Sequence, residues 1–382
     1  MSSLGAIRIF LSVVYIGLMV VSIPGNSLIL WITSHHRHLQ ASTNLLVCNL
    51  ALASILVGIL RLPFIIFELL NPDISYPFTQ SMCQFQALIS TASIMCISIT
   101  LTTICIDRYI VIVHPLKFGW KLSKKKTYIA IAMSWIISLI FFAPYTSFNI
   151  LYQPNITIYC LPFWPETPYD INFTRILSNG HENFIRLELS KFFVWLLFNL
   201  LVFLVPSIIM LTLYLKTILK LWYNTSPSDL RHSDRRYLDE IHRLKQKQHA
   251  VKIVITCCVA FIILNSPYYI VTMLLDFQLL YISRVSQSIL FDVLKTINYL
   301  SIAYNPIIYG YFNPSFRKHA PKWLSCVRIK QRFQILRRNQ EVTFHSTLKT
   351  EQSKLGLIDI SNTKSEHDTS KPCLYHLNDT IQ

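Results

Sequence analysis

Long hydrophobic runs separated by short polar segments dominate this chain, falling near 7–33, 42–70, 84–113, 127–148, 189–221, 250–276 and 287–311. Each is long enough to cross a bilayer as a helix with some tilt. The clearest is the 23 residues from Gln84 to Ile106, which carry no charge and make a helix of roughly 34 Å. The pattern predicts an all-α membrane protein, a bundle of seven crossings with its termini on opposite sides. The first run, from Ile7 to Ile32, exceeds the apolar core of a secretory signal and is read as an uncleaved first helix.

Charge supplies the orientation. Of the 35 Lys and Arg, 27 fall in 34–41, 114–126, 216–252 and the tail from 313. Those segments are expected in the cytoplasm, with the N-terminus outside at the plasma membrane. A net charge of +16 would point to nucleic acid in a soluble protein. Here it is a topology signal and a contact with anionic membrane lipids, so no nucleic-acid partner is expected. A chain 52% hydrophobic and 14% charged, with mean hydropathy +0.42, holds far more apolar surface than one soluble core would bury.

The nine cysteines sort by depth. Cys48, Cys96, Cys105, Cys257 and Cys258 fall in membrane runs, and Cys326 and Cys373 in the cytoplasmic tail, which leaves Cys83 and Cys160 outside as a disulfide pair. Residues Thr157 to Phe163 read as a short hairpin clamped to Cys83. The outer loop carries glycosylation sequons at Asn155 and Asn172. An amide within lipid needs an inward partner, so Asn26 faces the bundle. Residues Tyr237 to Lys252 read as an amphipathic extension of the sixth helix, and 340–382 as a polar, disordered tail rich in Ser and Thr.

Asp107-Arg108-Tyr109 ends the third run and His114-Pro115-Leu116 follows it. Trp135 sits in the fourth, Pro206 and Tyr214 in the fifth, Phe261 and Pro267 in the sixth, and Asn305-Pro306-Ile307-Ile308-Tyr309 closes the seventh. With these motifs at these places the chain resembles the rhodopsin-like (class A) G-protein-coupled receptors. The resemblance implies a receptor domain over 1–326 that includes a short eighth helix along the membrane, with Cys326 as a palmitoylation site, and a tail over 327–382. It further implies coupling to a heterotrimeric G protein, arrestin binding through the phosphorylated tail, and no cofactor, metal or enzymatic activity. Arg108 is expected to pair with Asp107 at rest and to turn toward the G protein as the sixth helix swings about Pro267, with Tyr214 and Tyr309 bridging inside. A guanidinium suits that exchange because it changes acceptors without shedding its proton.

Three departures accompany the resemblance. Ser54 replaces the aspartate of the family's sodium site, leaving Asn26, Ser301 and Asn305 to bond one another; Asn265 stands where a Trp is usual; and Lys247 stands where some relatives place an acid opposite the third-helix Arg.

For the ligand, Ser90 in place of an amine receptor's aspartate, and Tyr299 in place of an opsin's lysine, disfavour a monoamine and a retinal Schiff base. The charged groups near the mouth are Glu68, Asp276, Asp292 and Lys295, the last two spaced as a pair on one helix. The stretches Val113 to Lys117, Tyr159 to Pro165 and Asn305 to Arg317 resemble neuropeptide receptors of the Arg-Phe-amide and neuropeptide FF group. That likeness implies a cationic, C-terminally amidated peptide held by Asp276 and Glu68, its aromatic end among Tyr268 and Tyr299. The alternatives are an anionic lipid or nucleotide drawn to Lys295, and a non-signalling receptor. A transporter or channel would need a mid-membrane ionisable group, and Ser54 stands where it is expected.

Overall fold

The computed structural model describes residues 3–319 apart from 73, 117, 154–157, 165–167, 169–170, 177–181, 224–234, 278–283 and 313. Met1–Ala320 form one compact unit. Asn155, Cys326 and the tail lie outside the described residues.

Ten helices, α1 Ser3–His35, α2 Ser42–Leu60, α3 Leu62–Leu70, α4 Gln80–Val113, α5 Lys124–Ser147, α6 Leu189–Phe198, α7 Val205–Tyr223, α8 Arg235–Asp276, α9 Arg284–Phe312 and α10 Pro314–His319, make up the bundle among the described residues. α2 with α3, and α6 with α7 through a π-helical segment Asn199–Leu204, each form one crossing. Among the described residues, six spans are long and apolar enough to cross a membrane. The seventh, α9, is long enough at 29 residues but carries Asp292, Lys295, Asn298, Ser301 and Asn305. Its polarity faces neighbours rather than lipid, since Asn298 and Asn305 are buried and α9 packs on α1 and α8. The chain is thus a multi-pass helical membrane protein with α4 at its centre, packed against α2, α5, α7 and α8.

Prolines set the inter-helix bonds. Pro306 has no N–H for the carbonyl of Ile302, four residues before it. That carbonyl instead accepts from Ser22 Oγ at 3.1 Å and Asn26 Nδ2 at 3.2 Å, both on α1. Pro206 likewise frees the carbonyl of Val202, which accepts from Ser98 Oγ of α4 at 2.6 Å. A lost helical bond becomes a tie between helices, because an unpaired carbonyl inside lipid costs several kcal/mol. Asn26 therefore does face inward, but it does not bond Asn305 or Ser301 as the sequence led us to expect. Its amide also donates to the Ser22 carbonyl at 2.8 Å. Gly25 permits the approach: a Cβ there would lie 2.7 Å from Pro306 Cβ. On the other side of α4, Asn49 donates to Thr100 Oγ1 and accepts from Trp135 Nε1, both at 2.8 Å, which joins α2, α4 and α5.

Two antiparallel hairpins follow α5. In the first, β1 Asn149–Tyr152 pairs with β2 Tyr159–Pro162, with Leu151 opposite Cys160. In the second, β3 Ile171–Ile176 pairs with β4 Glu182–Leu187. Sequence analysis placed a hairpin within Thr157 to Phe163; that stretch instead supplies one strand, β2, whose partner is β1 before it, and the β3–β4 pair was not predicted. Asn172 lies on β3 opposite Arg186, and its side chain is outside the described residues.

Candidate functional site

A cavity of about 370 Å³ opens beneath the first hairpin. Cys83, at the start of α4, is joined to Cys160 by a disulfide with the Cα atoms 5.8 Å apart. Gln80 seals the same edge, donating to the Asn149 carbonyl at 2.7 Å and accepting from Leu151 N–H at 2.8 Å. The Ile158 carbonyl takes the Tyr76 N–H at 2.7 Å. Tyr76 itself packs with Phe64 and Phe78. Burial, with the Glu68 carboxylate adding to it, pushes its phenol up to about 12, so it stays neutral at physiological pH.

Of the residues expected near the ligand, Glu68, Ser90, Tyr268, Lys295 and Tyr299 all line this cavity. Asp292 is not part of that lining but stands within electrostatic reach of Lys295 and Arg8. Asp276 ends α8, and its side chain lies outside the described residues. Arg61, which sequence reasoning did not single out, lines the cavity too. Pro63 cannot supply an N–H to the Ile59 carbonyl, so the helix breaks at Arg61, with φ −117° and ψ −45°, before resuming as α3. Its guanidinium reaches the Tyr299 hydroxyl and feels the Glu68 carboxylate. The available signal was an Arg inside an apolar run, seven residues before Glu68 and thus near the same helical face.

From the cavity floor a line of contacts runs along the bundle. Asn298, in the cavity lining, donates to Asn265 Oδ1 at 2.7 Å, and Asn265 Nδ2 donates to the Phe261 carbonyl at 2.6 Å. Tyr269 of the cavity stacks on Phe203 at 5.2 Å, and Phe203 meets Phe261 at 6.4 Å. One turn beyond, Cys258 Sγ lies 3.4 Å from Cys105 Sγ of α4, and Cys105 donates to the Tyr214 hydroxyl of α7 at 3.1 Å. Three helices thus meet at two thiols and a phenol. Phe261, Tyr214 and Tyr309 are all buried.

At the far end of α4, Asp107 is nearly buried and Arg108 lies 4.0 Å from its carboxylate. Thr43 of α2 stands between them, donating to Asp107 Oδ2 at 3.1 Å and accepting from Arg108 Nη2. The Tyr109 hydroxyl bonds the His114 ring at 3.4 Å. Arg108 Nε has no hydrogen-bond partner among the described residues, so the guanidinium is only partly satisfied where it rests. The side chain of Lys247 lies outside the described residues. Ser54 Oγ and both polar atoms of the Asn305 side chain are buried with no hydrogen-bond partner there. The described residues hold no cluster of three or more His, Cys, Asp or Glu fit for a metal.

A ligand-sized cavity at one end of a multi-pass bundle and a partly satisfied cation at the other are consistent with a membrane receptor. The chain belongs to the 7 transmembrane receptor (rhodopsin family), which it matches over residues 25–309. It is 27% identical to the Substance-K receptor of Mus musculus over 304 residues, 79% of this chain and 72% of that protein. It is 25% identical to Neuropeptide FF receptor 2 of Mus musculus over 305 residues, 79% of this chain and 69% of the relative. With the QRFP-like peptide receptor of Branchiostoma floridae it shares 23% identity over 325 residues, 82% of this chain and 77% of that one. It is a receptor and not an enzyme.

Proposed function

We propose that the chain is a plasma-membrane receptor, N-terminus outside and C-terminus inside, that binds an extracellular peptide and activates a heterotrimeric G protein. The observation that carries this is the contact line from Asn298 through Asn265 and Phe261 to the Cys258, Cys105 and Tyr214 junction. A ligand pressing on the cavity floor disturbs Asn298, and the nearest polar partners of that disturbance lie on α8, the helix that must move for a G protein to enter. Asn265 puts a hydrogen-bonded amide where a bulky aromatic is usual, two residues before Pro267 on the side away from the cavity.

The names of the relatives support a peptide, and an amidated neuropeptide is the finer expectation. Glu68 offers a carboxylate to a peptide cation at the cavity edge, with Asp276 as a second acid, and Tyr268 and Tyr299 receive an aromatic end. Inside, the basic segments face anionic lipid, Cys326 is palmitoylated, and phosphate on the tail attracts arrestin. Asn155 and Asn172 carry glycans outside. Two cations at the cavity favour a second reading, a non-peptide anion such as a lipid or nucleotide.

The test is nucleotide exchange on a purified G protein, with the receptor in lipid vesicles and a panel of amidated neuropeptides. Exchange driven by a peptide from the panel is expected. Exchange driven only by lipids or nucleotides would favour the second reading, and tight peptide binding without exchange would make the chain a non-signalling receptor.

A further inference from the structure

We infer that the part of the ligand entering the cavity carries a carboxylate, seated between Arg61 and Lys295 with an aromatic or large apolar side chain beside it. This rests on the proposal that a peptide enters this cavity, and it adds the chemistry of the group that goes deepest.

Arg61, Lys295 and Glu68 face the same cavity. Asp292 is not among the residues that line the cavity. Among the described residues that line the cavity, two cations, Arg61 and Lys295, therefore stand against one carboxylate, Glu68, and the two cations repel one another. Like charges brought together away from bulk water are costly, and an anion between them removes that cost. A purely structural pairing of Arg61 with Glu68 would need no second cation.

Geometry narrows the anion further. Arg61 presents a planar donor fork, Lys295 a compact point charge 6.0 Å from the centre of the Phe291 ring, an arrangement suited to a planar two-oxygen acceptor. Tyr299 and Asn298 stand beside it as further polar groups, while Trp195, Phe198, Tyr268 and Tyr269 supply aromatic wall. At about 370 Å³ the cavity lies at the small end of ligand pockets. It takes a terminal residue or one side chain with its neighbour rather than a whole peptide. The carboxylate has two possible sources, a free C-terminus or an Asp or Glu side chain in a peptide whose C-terminus is amidated.

The test uses synthetic peptides of five to eight residues containing Phe, each made as free acid and as amide, and each with Asp or Asn beside the Phe. They are scored for G-protein activation in cells with measured surface expression, beside a second panel of fatty acids and aromatic carboxylic acids. Active peptides are expected to lose roughly 30-fold in potency when their carboxylate is neutralised. Loss on amidation identifies the C-terminus as the source, and loss on Asp to Asn identifies the side chain. Arg61→Gln should cost a similar factor for the carboxylate peptide and little for its neutral form, and Arg61→Lys should recover part of the loss. If Arg61 variants fail to reach the surface, Lys295→Met carries the same comparison. Peptides equally potent with and without a carboxylate would overturn the inference and leave the peptide reading standing. Activity confined to the small carboxylic acids would overturn the peptide reading and leave the carboxylate site standing. Silence from both panels at a surface-expressed receptor would overturn both.

Discussion

The two polar centres of this molecule are built from different chemistry. At the hairpin end, full charges share one cavity under a disulfide-held roof: Arg61, Glu68 and Lys295. Midway along the bundle, where α4, α7 and α8 meet, the contacts are neutral: Cys105, Cys258 and the Tyr214 hydroxyl. Charges under a fixed roof discriminate strongly between ligands, since an unmatched ion there is costly. Thiol contacts are weak and readily remade, which suits the opening proposed for this junction. Under the proposed function, selectivity and switching are separable: substitutions at the first centre should move ligand potency, and those at the second should move basal activity.

The largest expected effect comes from removing the roof. Cys160→Ser releases β2 from α4 and should lower ligand potency at least 100-fold, consistent with about 2–5 kcal/mol for a native disulfide. Dose–response curves corrected for surface expression check this, and retained potency would show that Gln80 and Tyr76 hold the hairpin unaided. Next is the α1 to α9 tie. Asn26→Leu leaves the Ile302 carbonyl one donor short and should destabilise the purified receptor by about 1–3 kcal/mol, read from thermal unfolding, with potency little changed.

At the neutral junction, Cys258→Ala should raise basal nucleotide exchange by about two- to fivefold, as expected for losing roughly 0.5–1 kcal/mol from the closed state. Unchanged basal exchange with a fall in potency would reverse the division of labour. The smallest expected effect is that of sodium. Ser54 offers no carboxylate to a cation, so replacing sodium by choline should shift agonist affinity less than about twofold. A clear sodium-dependent shift that vanishes in Ser54→Ala would contradict this.

Helices and their order were legible because each crossing announces itself locally: 23 uncharged residues in a row leave few alternatives to a buried rod. The disulfide was legible because crossing number and basic loops left two cysteines on one side. Arg61 was not singled out, since one guanidinium in a run of 29 residues barely moves its apolar average, and its inward aim depends on a backbone break at Pro63. The tie of Asn26 to the Ile302 carbonyl was invisible for another reason. Its acceptor is a backbone group some 276 positions away, freed by a proline, and side-chain types do not reveal which carbonyl goes unpaired. Asn305, expected to partner Asn26, instead has no hydrogen-bond partner among the described residues.

The proposed coupling is that occupying the charged cavity opens the neutral junction. It is tested most directly by oxidative cross-linking of Cys105 to Cys258, whose sulfurs lie 3.4 Å apart at rest, in a receptor with Cys257 replaced by Ala. Copper-phenanthroline should form the bond readily in the unliganded receptor, and an activating peptide should slow it severalfold as α8 leaves α4. A cross-linking rate that the peptide leaves unchanged, while it still drives nucleotide exchange, would contradict the account.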